Sequence, residues 1–473
     1  MSRETKLVKN TFILSIGTFL PKFAAFITLP ILTGYLSKEQ YGTYDLVTIL
    51  VGLVLPIATL QIHTAAFRFL IERKNDRENA KLYFSNILAL VIPVSLVTLT
   101  VLFFVFPIKS ISIRIWICIY LFFDTLVGEV RQITRGLSRN LDYSISSIIS
   151  AFTKMILAVV LVQFLKYELT GAIIALALSP VFSLTFLFFK VKVYELIDFK
   201  LVNKKIIKEM IAYSWPMVPN NLSGWVMRVS DRFVVTGFMG VAANAVYAVA
   251  NKIPSLLSLA QATFNMAWQE NASIVSKDED VGKYYSKMFE VMLRLYAGFL
   301  GLIIACTPVA FKIFVKGNYD EAYPQMPILF LAFFFGCMSA FLGGIYIAFK
   351  ATKSVGLTTF AAAISNIVID LALINWIGLY AASLSTLISY VFMFFYRMKN
   401  VKKLVHIEYD IKKFIVILSV LIVESVVSYI NIRVLNYCNA VIGLMIFLIL
   451  NKQLVFATVN KFKKLGSSRS KKQ

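Results

Sequence analysis

Apolar stretches long enough to cross a bilayer recur along almost the whole chain, and this constrains its fold more than any other sequence feature. A spanning helix needs roughly 20 mostly apolar residues. Windows of that kind, separated by charged or Gly/Pro-rich breaks, fall at residues 10–34, 43–69, 83–107, 113–137, 143–165, 170–190, 213–238, 242–268, 288–313, 325–349, 354–376, 378–397, 414–431 and 437–458. The expected fold class is an all-α integral membrane protein with fourteen transmembrane helices. A hydrophobic share of 59%, against about 45–50% in soluble domains, excludes a soluble enzyme. The first window is too long for the apolar core of a signal peptide, and Pro21-Lys22 interrupts it where cleavage would be expected, so that span is expected to remain in the mature chain.

Orientation follows from the basic residues, which are retained on the cytoplasmic side. With the N-terminus inside, 34 of the 48 Lys and Arg residues fall in cytoplasmic segments, 7 in external segments and 7 within spans. This skew fits an even number of spans with both termini cytoplasmic. The net charge of +23 is thereby explained by topology and calls for no nucleic acid partner. The basic tail from Lys461 to Lys472 is expected to meet anionic membrane lipids.

Four parts emerge: residues 1–190 as an N-terminal lobe of six spans, 191–212 as a basic cytoplasmic linker helix, 213–397 as a second six-span lobe, and 398–473 as two extra spans with the basic tail. The linker carries Lys192, Lys200, Lys204, Lys205 and Lys208 among apolar residues, the pattern of a membrane-surface helix. Between spans one and two, Leu36-Ser37-Lys38-Glu39-Gln40-Tyr41-Gly42-Thr43-Tyr44 occupies the place that Met239 to Tyr247 takes in the second lobe, with Tyr44 and Tyr247 offset by 203 residues. Duplicated lobes of this kind build many secondary transporters.

Motifs for chemistry are missing. The sequence has no GxxxxGK[ST] phosphate loop and no GxSxG elbow. Its two histidines, His63 and His406, have no second His, Cys or carboxylate at metal-ligand spacing, and Cys118, Cys306, Cys337 and Cys438 form no CxxC pair. No enzyme activity, no metal and no bound cofactor are expected. External loops of about ten to twelve residues are also too short for the extracytoplasmic domain that a membrane polymerase carries.

Ionisable groups inside the membrane carry the functional argument, because one at the bilayer centre costs at least about 2.5 kcal/mol and normally faces a partner or a watery cavity. Lys22 lies about midway along the first span, on one face with Thr11, Ser15 and Thr18. Span two carries Gln61, Thr64 and Arg68; span four carries Asp124, Gly128, Arg131 and Arg135, with Glu129 to the side. Span seven has Asn221, Gly224, Arg228, Asp231 and Arg232. Span eight has the longest polar stripe, Tyr247, Asn251, Ser255, Ser258, Ala262, Asn265 and Gln269, flanked by Lys252, and span eleven adds Asn366 and Asp370.

The seven intramembrane cations Lys22, Arg68, Lys154, Arg228, Arg232, Lys252 and Arg294 exceed the acids Asp124, Asp231, Asp370 and Glu424 by three. A net-cationic cavity suits an anionic substrate, and the arginine fork matches a pair of phosphate oxygens. Lys22, Arg68, Arg228, Arg232 and Lys252 are therefore the candidate substrate-binding residues. Asn221, Tyr247, Asn251, Ser255 and Asn265 are the candidate polar lining, and Asp124, Asp231 and Asp370 the candidate sites for coupling to a proton or sodium gradient. Competing assignments are snorkelling for Arg68 and Arg294, interhelical salt bridges for Lys22, Arg228, Arg232 and Lys252, interhelical hydrogen bonding for the span-eight stripe, pairing of Lys154 with Asp124 or Glu129, a local structural role for Glu424, and the membrane potential as the driving force in place of an ion gradient.

At this point the sequence resembles a known family, the Wzx-type polysaccharide or O-antigen flippases of the multidrug/oligosaccharidyl-lipid/polysaccharide exporter superfamily. The resemblance is carried by Leu29-Pro30, Thr33 to Tyr35, Leu36-Ser37 and Tyr41-Gly42-Thr43-Tyr44-Asp45, and by Trp215-Pro216 through Asn221, Asp231-Arg232, Tyr247 and Asn251-Lys252. It implies a V-shaped pair of six-helix lobes, like that of the multidrug exporters, around a central cavity. It also implies translocation of undecaprenyl-diphosphate-linked oligosaccharide across the bacterial cytoplasmic membrane, with polysaccharide polymerase machinery as a partner. Cations in spans one, two, seven and eight line the family's cavity, and Lys22, Arg68, Arg228, Arg232 and Lys252 stand in those spans. Two alternatives share the fold: a flippase for a lipid-linked peptidoglycan precursor, and a cation-coupled multidrug exporter, which is expected to have an acid-dominated cavity.

Overall fold

The computed structural model describes residues 3–71, 76–106, 108–215 and 217–452. Among them the regular elements are all helical: α1 (Arg3–Tyr35), α2 (Lys38–Thr59), α3 (Ile62–Ile71), α4 (Arg77–Val105), α5 (Ile111–Gly136), α6 (Asn140–Ala158), α7 (Glu168–Leu187), α8 (Lys204–Ser214), α9 (Met217–Met239), α10 (Val241–Lys252), α11 (Leu256–Val275), α12 (Val281–Phe314), α13 (Met326–Ala348), α14 (Thr352–Ile377), α15 (Leu379–Val401), α16 (Ile411–Ile430) and α17 (Arg433–Leu450), with short single-turn connectors. In hydrocarbon a helix satisfies its own backbone, so these long apolar runs have this solution open to them. The basic tail from Lys461 to Lys472, Pro216, and the side chains of Thr11 and Ser15 lie outside the described residues.

Twelve segments among the described residues are long and apolar enough to cross a membrane. The other two expected spans, 213–238 and 242–268, are helical but differ in kind. Helix α9 carries Arg228, Asp231 and Arg232 near its middle. The eighth expected span is interrupted between Lys252 and Leu256, at Pro254, which cannot donate a backbone hydrogen bond. A second interruption falls in the second expected span, where Leu60 and Gln61 adopt left-handed backbone conformations (φ 48° and 56°) between α2 and α3.

Polar residues set the helix starts. Ser37 and Gln40 form a reciprocal cap at α2: Gln40 N donates to Ser37 Oγ (3.2 Å) and Ser37 N donates to Gln40 Oε1 (3.0 Å). Asp76 caps α4 and Asp410 caps α16, each accepting a backbone N–H three residues on at 3.0 Å.

The chain divides into two compact units. Unit 1 comprises residues 1–229, 240–245 and 314–317; unit 2 comprises 230–239, 246–313 and 318–473. In unit 1 the core of α3, α4 and α5 is built on Ile62, Ala66, Phe84, Ile87, Val127 and Val130. The two echoed sequence segments meet in this unit. Asn244 Nδ2 donates to the Gly42 carbonyl (3.3 Å), and a Cβ at Gly42 would stand 2.2 Å from the Val241 carbonyl oxygen, so only glycine permits the approach. The linker is strapped to α4 within the same unit. Lys81 pairs with Asp198 (3.1 Å), Arg77 with Glu195 (2.9 Å), and Asn86 binds the Leu201 carbonyl (3.0 Å) and the Asn203 amide (2.7 Å).

Unit 2 is held by aromatic packing. Phe394 stacks on Phe414 (ring centroids 5.4 Å apart) and Trp268 on Phe341 (4.4 Å). Arg397 is buried beside them with neutral oxygens as its partners: Thr358 and Thr359 hydroxyls and the Ser339 carbonyl, at 2.8–2.9 Å.

Candidate functional site

The candidate cations divide between the units. Lys22 on α1, Arg68 on α3 and Arg228 on α9 belong to unit 1, and Arg232 and Lys252 to unit 2. Lys22, Arg68 and Arg228 are exposed, whereas Arg232 and Lys252 are half-buried. Among the described residues neither Lys22 nor Arg228 forms an ion pair, although each stands within an expected span. Of the other intramembrane cations, Arg294 binds Glu290, which Lys413 binds as well. Glu129, weighed from the sequence as a partner for Lys154, instead binds His63.

The expected polar lining is used in more local ways. Asn221 Nδ2 donates to Gln61 Oε1 at 2.9 Å, inside unit 1. Asn251 turns back to the Tyr247 carbonyl (2.9 Å) and Ser255 to the Lys252 carbonyl (2.7 Å), as polar side chains beside a helix break commonly do. Asn265 is half-buried and its Oδ1 has no partner among the described residues. Tyr247, expected along the lining, is 2% exposed and belongs to an acidic cluster inside unit 2.

That cluster gathers polar side chains from α9, α10, α14 and α15. The second half of α9 brings in Asp231, 5% exposed, whose Oδ2 accepts from the Tyr247 hydroxyl (2.8 Å) and the Thr386 hydroxyl (2.6 Å). Ser230 donates to Asn366 Oδ1 (2.8 Å), and Asn366 Nδ2 approaches the Ser385 and Thr386 hydroxyls at 3.3 Å each. Asp370 lies one turn beyond Asn366 on α14, hence on the same face, and is fully buried. Neither Asp370 oxygen has a partner among the described residues, nor does Asp231 Oδ1. Buried oxygens are ordinarily satisfied. Two carboxylates, an amide oxygen, hydroxyls and the Ala382 carbonyl near Tyr247 (3.3 Å) form an all-oxygen set suited to a small hard cation or to protons.

Asp231, Asp370 and Asn366 are conspicuous in the sequence as polar groups in apolar runs, whereas Thr386 and Ser230 carry no signal distinguishing them from other span hydroxyls. Asp124, grouped with the two aspartates from the sequence, belongs to α5 of unit 1. Its neighbour along that helix, Arg131, is committed to Ser146 Oγ (2.9 Å) and Ser183 Oγ (3.0 Å).

Residues 7–269 match the model of a family described as polysaccharide biosynthesis protein. No curated protein matches the chain. Among solved structures it is similar to the lipid II flippase MurJ in an inward closed conformation, at 18% identity and a TM-score of 0.69, covering 95% of this chain and 100% of that one. It is also similar to an inward-facing multidrug resistance transporter of the MATE family, of the MOP superfamily (15% identity, TM-score 0.66, covering 83% and 98%). A further match is a MOP superfamily transporter from Pyrococcus furiosus described by the reverse polarity of its binding pocket (14%, TM-score 0.59, covering 84% and 95%). At such identities the likeness is one of fold.

Proposed function

Because the chain belongs to the polysaccharide biosynthesis protein family, we propose that it is a flippase rather than an enzyme. In this reading it moves undecaprenyl-diphosphate-linked oligosaccharide repeat units from the cytoplasmic to the outer leaflet, for synthesis of a surface polysaccharide such as O-antigen or capsule. The observation that carries the reading is the pair Lys22 and Arg228, two exposed cations within expected spans that have no ion-pair partner among the described residues. A cation kept at such depth faces water or an anion rather than hydrocarbon. A diphosphate is such an anion. Its sugars cannot cross roughly 30 Å of hydrocarbon, whereas the prenyl tail stays in lipid while the headgroup follows a polar, cationic path.

Arg68, Arg232 and Lys252 extend that path in this proposal, with Asn221, Asn251, Ser255 and Asn265 offering hydrogen bonds to sugar hydroxyls. Alternating access completes the cycle. The Asp231–Asp370 cluster supplies coupling. Binding of a cation or protons there offsets the burial of unpartnered carboxylate oxygens, so the driving gradient favours one conformation over another. Both termini are cytoplasmic in this reading, and the membrane is the bacterial cytoplasmic membrane.

The test is mass spectrometry of lipid extracts from cells with and without the gene, read alongside surface polysaccharide. Accumulated undecaprenyl-diphosphate oligosaccharide with loss of surface polymer is expected, and R228E/R232E in a correctly inserted protein should reproduce it. A peptidoglycan-precursor flippase is the second reading, supported by the full coverage of the lipid II flippase fold. It predicts accumulated peptidoglycan precursor instead. Unchanged lipids with altered drug sensitivity would overturn both.

A further inference from the structure

Unit 1 contains a titratable pair, half-buried His63 and fully buried Glu129, that the translocation reading does not use. The expected second span breaks at Leu60–Gln61, both left-handed, and the freed backbone is satisfied locally: Gln61 N donates to Thr59 Oγ1 (3.1 Å) and Thr64 N to the Gln61 carbonyl (2.9 Å). The break starts a new helix at Ile62, which sets His63 in the first turn of α3. There Nδ1 of His63 lies 3.0 Å from Oε1 of Glu129 on α5. Glu129 is fully buried, and its second oxygen, Oε2, has no partner among the described residues.

Helices α4 and α8 bring Phe84, Ile87, Val91 and Met210 to the apolar core that also holds Ile62 of α3 and Val127 and Val130 of α5. Of the charged residues on α5, Arg131 is turned to Ser146 and Ser183, Arg135 lies against the Tyr143 ring, and Asp124 stands more than a turn away; on α3 itself Arg68 is exposed. A carboxylate in such a place is costly unless a charged partner answers it, and His63 is the bonded partner among the described residues.

We propose that His63 and Glu129 form a proton-binding site at the break in the second span. With Nδ1–H donating to Glu129 throughout, the exchanging proton sits on Nε2 of His63. Bound, the pair is an imidazolium and a carboxylate with no net charge. Released, the proton leaves a neutral imidazole donating to a carboxylate, and the apolar pocket carries one net negative charge. Exchange therefore alters the electrostatic tie between α3 and α5 beside two left-handed residues. Proton binding here is independent of what the chain translocates.

The chain has only two histidines, so exchange of the imidazole C2 hydrogen for deuterium, followed by mass spectrometry of the purified full-length protein across a pH series, reads each one separately. His406 is the internal reference. His63 should show one transition across the series, and E129Q should move its midpoint by more than about half a pH unit while leaving that of His406 in place. A His63 with no transition in the series, or one whose midpoint is unmoved by E129Q, overturns the site. Should E129Q not fold, proton uptake counted with an indicator dye decides: wild type should bind one proton per chain more than H63Q/E129Q, in which neither position can titrate, over the same series, and equal uptake overturns the proposal.

Discussion

Replacing Tyr247 with Phe removes a single oxygen from the acidic cluster and tests whether that cluster is a connected unit. The hydroxyl donates to Asp231 Oδ2 at 2.8 Å, Thr386 donates to the same oxygen at 2.6 Å, and Oδ1 has no partner among the described residues. Tyr247 is 2% and Asp231 5% exposed, which leaves little room for water to replace the lost donor. Hydrogen bonds to charged groups contribute about 1.5–3 kcal/mol in soluble proteins. Inside membranes, double-mutant cycles average about 0.6 and reach about 1.7 kcal/mol. A buried bond to a carboxylate belongs at the upper end of the membrane range, so Y247F should cost about 1.5 kcal/mol, close to a tenfold fall in the folded-to-unfolded ratio. Because T386V strips the same oxygen, the double variant should depart from the sum of the singles by at least about 0.5 kcal/mol. Denaturant titration of purified protein, followed by tryptophan fluorescence, reads all three. A Y247F protein as stable as wild type, or a double variant equal to the sum, would refute the reasoning.

Three further outcomes follow from unit interiors. A side chain at Gly443 on α17 would stand 2.6 Å from Ala305 Cβ and 2.7 Å from the Gly301 carbonyl oxygen on α12; G443L should therefore cost about 1–3 kcal/mol by overpacking, seen as a lower melting temperature. N86L leaves the Leu201 carbonyl and the Asn203 amide without their side-chain partner, and amide exchange measured by mass spectrometry should accelerate over residues 197–203 while α5 is unaffected. The Lys81 ammonium, with the Lys200 amide, holds the Asp198 carboxyl below the usual carboxylate range. Its contribution is therefore fully present above the unfolded value of about pH 3.9 and is lost as pH falls through the folded one; measured relative to the intrinsic amide exchange rate, which itself slows in acid, the linker should lose protection on acidification in wild type, and K81A should flatten that response.

Much of the fold was legible in the sequence because hydropathy is a local sum. Twenty apolar residues specify a helix in lipid whatever their neighbours, and twelve of the expected spans appear as helices long and apolar enough to cross. The two that differ, around Arg228–Arg232 and Pro254, also carry most of the candidate site, where local preference yields to charge and to a missing backbone donor. The break at Leu60–Gln61 had no sequence marker, since neither residue favours a left-handed conformation.

The charged and polar residues of the candidate site could be named from the sequence alone, because an ionisable group is conspicuous in an apolar run. Their partners could not. Thr386 reaches Asp231 across 155 residues of chain and His63 reaches Glu129 across 66, and helix periodicity along one segment says nothing of which face another segment presents. The sequence thus determined that this is a helical membrane protein with cations set within its spans. Only packing in three dimensions decided that Asp231 is capped by Tyr247 and Thr386, that the Asp370 oxygens have no partner among the described residues, and that a histidine without any motif holds a buried carboxylate, because side-chain pairing depends on distances that the chain acquires only when its helices come together.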